Sequence, residues 1–217
     1  TKFYRLALAS LLILFLGAAG GYLYLEREFA TPAEEGEATP VLLQVRPGMG
    51  LERIAHALWE KNLIKKPTLF IYQVRLRGGA KRLHAGYYAF RPSMSPREIY
   101  RDIVEGRRVE RTITIPEGYN LRELAHVIED SGLAEYGEII ALAHTAEFLS
   151  TLRVGASSAE GYLFPDTYRF PLGMPARKIL KILVDTLKRK LDDKLRRRAA
   201  ELGFTIHEVL TLASIVE

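Results

Sequence analysis

The sequence predicts an α+β protein: a single N-terminal transmembrane helix, a strand-helix-helix-strand module, then the first part of a mixed α/β domain. Three observations predict it. Residues Leu6 to Leu25 form one apolar run. A strand, a glycine turn and a helix then occur twice, 70 residues apart. Around both copies, short β-branched or aromatic stretches alternate with longer stretches of helical spacing. The boundaries fall at 1–5 (a stub), 6–25 (the span), 26–40 (a linker), 41–110 (the module) and 111–217 (the larger domain).

The 20 residues of the apolar run carry no charge, and Ser10 is the strongly polar one. At ~1.5 Å per residue they cross a hydrocarbon core of ~30 Å. Tyr22 and Tyr24 fall where an interfacial aromatic belt belongs. Lys2 and Arg5 before the run, with Glu26, Arg27 and Glu28 after it, favour the N-terminus inside and the rest outside. The rival is a cleaved signal peptide with Gly17-Ala18-Ala19 as its small-residue site, but the apolar run continues past that site. Thr31 to Thr39, rich in Pro, Glu and Gly, reads as a short tether.

The first repeat copy is Val45-Arg46-Pro47-Gly48-Met49-Gly50-Leu51, and the second is Ile115-Pro116-Glu117-Gly118-Tyr119-Asn120-Leu121. Leu51, Ile54, Ala55, Leu58 and Trp59 form an apolar helical stripe in the first copy, as do Leu121, Leu124, Ala125 and Ile128 in the second. His56 and His126 flank those stripes and read as helix-flank residues, not metal ligands. Gly86 to Phe90 reads as a strand. Ser95-Pro96-Arg97-Glu98 then opens a helix with a capping box. Arg111 to Ile115 alternates and is β-branched, hence a strand. Pro175 to Leu202 reads as one long amphipathic helix stopped by Gly203. Its Lys188-Arg189-Lys190 and Arg196-Arg197-Arg198 clusters are either a solvated face or a polyanion site. Thr205 and Glu208 make a second capping box, opening the last helix.

The 217 residues are 48% hydrophobic and 26% charged, with a net charge of +5. A partner of opposite sign is a nucleic acid, an anionic membrane surface or an acidic wall polymer. With no cysteine, disulfides, thiolate metal sites and a cysteine nucleophile are excluded.

The chemistry gathers in two places. Glu160 to Phe170 sets two acids and several aromatic rings around Pro165, which disfavours helix. It is either a core-capping loop or an extended ribbon suited to stacking on sugars. In the last helix, Ile206, Leu210, Ala213 and Glu217 share one apolar side. A carboxylate there is paired, neutral or functional, and desolvation raises its pKa towards that of a general acid.

These features together resemble the endolytic murein transglycosylases, the YceG-like or MltG family. The matching residues are the N-terminal span, Val45 to Gly48 with Leu51 and Ile54-Ala55, Ala85 to Phe90, Glu160-Gly161 leading to Phe164-Pro165-Asp166-Thr167-Tyr168, and Ala213-Ser214-Ile215-Val216-Glu217. Val45 to Ala55 alone resembles a LysM glycan-binding module. In the family the last motif continues Glu-Lys-Glu and a further segment follows. The resemblance implies that the acid is the second of those glutamates, whereas this chain ends on the first. Glu217 is then the acid's neighbour, or, with the roles of the two glutamates exchanged, the acid itself, and the chain resembles a truncated, inactive enzyme.

The resemblance implies cleavage of the MurNAc–GlcNAc β-1,4 bond inside nascent peptidoglycan strands, leaving 1,6-anhydro ends and terminating elongation. Glu217 would be catalytic, with Glu160, Tyr162, Asp166 and Tyr168 binding substrate. It implies no metal and no cofactor. Its partners are peptidoglycan strands, the membrane through Leu6 to Leu25, and the cell-wall synthesis machinery, with no nucleic acid. The expected location is the bacterial cytoplasmic membrane, single-pass, with the main domain extracytoplasmic. The alternative is a non-catalytic, membrane-tethered peptidoglycan-binding protein.

Overall fold

Two antiparallel strand pairs organise the chain. Strand β1 (Val41–Val45) pairs with β2 (Gly86–Phe90), Leu43 opposite Tyr88. Strand β3 (Glu110–Thr114) pairs with β4 (Thr167–Pro171), Ile113 opposite Tyr168. The computed structural model describes residues 2–34, 36 and 39–216, except the side chains of 2–7 and 9. The chain divides into two compact units after Val109.

The first unit adds helices α1 (Lys2–Ala30), α2 (Leu51–Glu60), α3 (Pro67–Leu76) and α4 (Pro96–Glu105) to its strands. The strand-helix-helix-strand order of the expected module is present. Leu51, Ile54, Ala55 and Leu58 of α2 are buried as their spacing requires. Trp59, expected on the same stripe, is 48% exposed and lies edge-on to His56. Helix α4 starts on the expected capping box: the Ser95 hydroxyl accepts the Glu98 N–H, and the Glu98 carboxylate accepts the Ser95 N–H at 2.8 Å.

Helix α1 runs through residues 26–30, where the sequence predicts a linker. Tertiary contacts explain the difference. Phe29 is 3% exposed in the first unit's core. Arg77 and Arg97 both pair with Glu26, and Lys66 pairs with Glu28 at 2.7 Å. Farther up α1, Leu8 and Leu11 to Leu16 are exposed. Among the described residues no single helix is long and apolar enough to cross a membrane. The predicted tether from Thr31 to Thr39 falls partly outside the described residues.

The second unit comprises β3, α5 (Leu121–Asp130), α6 (Tyr136–Ala143), α7 (Ala146–Thr151), β4, α8 (Ala176–Lys190), α9 (Asp193–Glu201) and α10 (Ile206–Val216). The long helix predicted from Pro175 to Leu202 is thus two helices. Asp192 accepts the Leu195 N–H at 2.8 Å and caps a new helix start, and Leu191 leaves helical geometry. The spacing of Ile179, Leu183, Leu187, Leu191 and Leu195 predicts one apolar stripe along a single helix, but Leu195 is exposed. One residue of the second basic cluster serves this break. Arg196 donates to the carbonyls of Leu191 at 2.8 Å and Lys188 at 3.2 Å, satisfying acceptors at the end of α8.

The two units are variants of one design, beyond the stretch the sequence repeat covers. Gly48 and Gly118 both turn at φ 75°, a conformation that favours glycine. The helix exits match: Asn62 and Gly132 are left-handed and precede buried Leu63 and Leu133. The second strands match at an offset that has grown to 80. Tyr88 stacks on Phe90 and bonds the His84 carbonyl at 2.7 Å. Tyr168 stacks on Phe170 and bonds the Phe164 carbonyl at 2.7 Å. Buried Ile99 and Ile103 of α4 correspond to buried Ile179 and Leu183 of α8. The extra residues in the second unit lie ahead of β4.

Candidate functional site

The extra length of the second unit builds its groove. The loop from Ala156 to Pro165 faces the turn Ile115–Asn120 and helix α10 across a cavity of about 920 Å³. Each wall follows from local chemistry. Pro165 keeps the loop extended, and the Asp166 carbonyl accepts the Ile115 N–H at 3.0 Å, continuing the β3–β4 ladder beyond the strands. The left-handed turn at Gly118 presents Tyr119, which is exposed. On the third side, α10 starts on the expected capping box of Thr205 and Glu208.

Glu160 lines the groove and also ties the loop to α5. Its carboxylate accepts the Leu121 N–H at 3.0 Å, the first free donor of that helix. Asn120 beside it accepts from Arg122 and Glu123. Tyr162 is 7% exposed, and its hydroxyl meets His207 Nδ1 of α10 at 3.1 Å, with the rings parallel. Burial raises the Tyr162 pKa, so the phenol stays protonated at neutral pH. Phe164 closes the floor with the Lys190 ammonium over its ring.

Two expected groove residues do not line it. Tyr168 is a core side chain, 8% exposed, because strand alternation turns it inward with Phe170. Asp166 is exposed outside the groove, its carboxylate accepting the Thr167 N–H at 2.7 Å. Glu217 lies outside the described residues. The apolar side of α10 expected to bury it contributes no buried residue: Leu210 is half-buried and Ala213 exposed. Tyr119, Asn120, His207, Thr211 and Ser214 line the groove, although the sequence marks none of them as a site residue. His207 sits inside a capping box, a pattern that explains it completely at the sequence level.

Rings, an amide, hydroxyls, an imidazole and, among the described residues, one carboxylate line the groove, groups that stack on rings and exchange hydrogen bonds. His56 and His126 are exposed, with Glu60 at 3.3 Å and Glu129 at 3.5 Å. Among the described residues no group of three His, Asp or Glu side chains could hold a metal ion.

Two antiparallel strand pairs, each flanked by helices, with an aromatic, hydroxyl-rich groove in the second unit, define the class structurally. The model of the YceG-like family matches residues 43–217, and the chain belongs to that family. It is 26% identical over 238 residues to the endolytic murein transglycosylase of Streptococcus pneumoniae D39, covering 95% of this chain and 42% of that protein. To the endolytic murein transglycosylase of Bacillus subtilis it is 26% identical over 215 residues, covering 91% and 59%. The chain thus spans about half the length of these relatives. A crystal structure of a YceG-like protein from Listeria monocytogenes superposes with a TM-score of 0.46 at 23% identity, covering 82% of this chain and 64% of that one.

Proposed function

We propose that this chain forms part of a peptidoglycan lytic transglycosylase, with the second-unit groove holding a glycan strand. The observation that carries the reading is the groove itself: Tyr119 and Phe164 offer ring surfaces, and Asn120, Glu160, His207 and Ser214 offer hydrogen bonds. The names of the two relatives support it. The bond cleaved is the MurNAc–GlcNAc β-1,4 linkage. One acid protonates the leaving oxygen. The same group, now a base, takes the proton from the muramic 6-hydroxyl as that oxygen closes on C1, giving a 1,6-anhydro end. The nucleophile belongs to the substrate, so no second carboxylate has to hold a water. Glu160, engaged at the start of α5, positions sugar. Glu217 or an acid following it does the proton transfer.

The first unit, with its strand-helix-helix-strand order, acts in this reading as a LysM-like glycan-binding module. The exposed leucines of α1 support an anchor in the cytoplasmic membrane, with both units outside it. The products end nascent strands, which places the enzyme beside the wall-synthesis machinery.

Mass spectrometry of digested glycan strands tests the proposal. A protein lengthened past Glu217 by the further segment that the family resemblance implies releases anhydro-muropeptides. The chain ending at Glu217 releases few. Glu217→Gln in the longer protein lowers the rate on the order of 10²–10⁴-fold if Glu217 is the acid, and only mildly if it is the neighbour. No anhydro product from the longer protein overturns the reading.

A further inference from the structure

The first unit carries a second groove, of about 490 Å³, between β1 and α2. Leu42, Leu43 and Gln44 all line it. Successive strand residues point to opposite faces, so a groove touching all three runs along the strand's edge. That edge is free: β1 pairs with β2 alone among the described residues. Its outward N–H and C=O groups therefore have no ladder partner. Arg46, Arg53 and Lys61 give the groove three cations against Glu60, its one carboxylate among the described residues. Arg46 and Lys61 have no ion-pair partner there, and Arg53 donates only to the Gly48 carbonyl, at 3.0 Å.

The duplicated design shows that the scaffold does not require these charges. At the corresponding positions of the second unit stand Pro116, Glu123 and Ser131 for Arg46, Arg53 and Lys61, and Asp130 for Glu60. The strand pair, glycine turn, helix and helix exit are otherwise the same. Three cations have no counterpart in an equivalent fold, so folding does not explain them.

We propose that this groove binds an extended peptide bearing carboxylates, which adds as a strand along β1 while Arg46, Arg53 and Lys61 take its charges. The inference rests on the peptidoglycan reading, in which the peptide is the stem carried by the glycan. The free edge selects the class: peptide main chain matches a ladder of alternating donors and acceptors, whereas a sugar chain or a phosphate headgroup does not. Charge-assisted bonds to guanidinium fix carboxylate geometry.

The test titrates the whole chain, held in nanodiscs of neutral lipid, with four probes: a disaccharide-peptide with free carboxylates, its amidated form, the disaccharide alone, and phosphatidylglycerol vesicles. The free-carboxylate probe binds and slows amide exchange along Val41–Val45. Amidation, or the double variant Arg46→Gln and Lys61→Gln, weakens it about fivefold or more, with circular dichroism unchanged. Raising salt weakens it as well. Equal binding of the peptide-free disaccharide, binding of vesicles but not peptide, or full binding by the double variant each overturns the proposal. If the double variant loses its fold, Lys61→Ser alone, which copies the second unit, decides by the same titration. Cleavage of glycan without peptide binding overturns this inference alone. Peptide binding without cleavage overturns the catalytic reading alone.

Discussion

Tyr162 and Tyr168 stand six residues apart in one motif and have opposite fates. Tyr168 points into the core and bonds the Phe164 carbonyl, so it shapes the groove from below. Tyr168→Phe leaves that carbonyl without its partner. It lowers stability by about 1 kcal/mol, seen as a lower urea midpoint. Tyr162→Phe acts differently. Its hydroxyl partner His207 is exposed and rehydrates, so the midpoint stays within about 0.5 kcal/mol. Sugar-oligomer binding weakens instead, because Tyr162 and His207 then no longer fix each other across the groove. Equal destabilisation by the two variants contradicts this division. Both tyrosines belong to a run whose chemistry is legible in the sequence. Which of them faces the groove depends on the β4 register against β3, and that register is a tertiary fact.

At the scale of elements, caps and docking contacts decide where helices begin and end. Phe29 docks the end of α1 in the first unit's core. Phe29→Ala lowers the stability of that unit by about 3–5 kcal/mol and exposes residues 24–30 to limited proteolysis. An unchanged melting profile refutes the docking. The capping box of α4 gives a pH dependence. The Ser95 backbone N–H, then its hydroxyl, bond the Glu98 carboxylate and hold its pKa below the ordinary range. A depressed folded-state pKa adds stability above the unfolded value of about 4.3. That increment disappears as pH falls through the lower folded value. The first unit therefore loses stability on acidification below about pH 4.3, and Glu98→Gln flattens that part of the curve. The capping boxes at Ser95 and Thr205 were legible because their residue pattern is local. The break of α8 from α9 was not. A leucine stripe runs across it, and only the capping of Asp192 on Leu195, with Arg196 on the α8 carbonyls, shows where the helix stops.

At the scale of the molecule, each unit has its own core. One is centred on Ile54, Leu58, Tyr88 and Ile103, the other on Leu124, Phe148, Phe170 and Leu183. Separate cores predict separate cooperativity. Tyr88→Ala lowers the melting of the first unit by about 3–5 kcal/mol and leaves hydrogen exchange in Ile113–Leu187 unchanged. A single transition in which both units shift together contradicts this. The sequence by itself determined the duplication, the strands β1, β2 and β3, and the buried sides of α2 and α5, because each rests on spacing. It also determined the family, through motifs that survive in order. Only the tertiary structure decided that residues 26–30 join the first unit, that the duplication reaches Tyr168 and Phe170, and that His207 meets Tyr162. The physical reason is range: periodicity and capping act within a few residues, whereas burial and groove lining join residues tens of positions apart. A histidine in a capping box looks the same in sequence whether it faces solvent or a phenol.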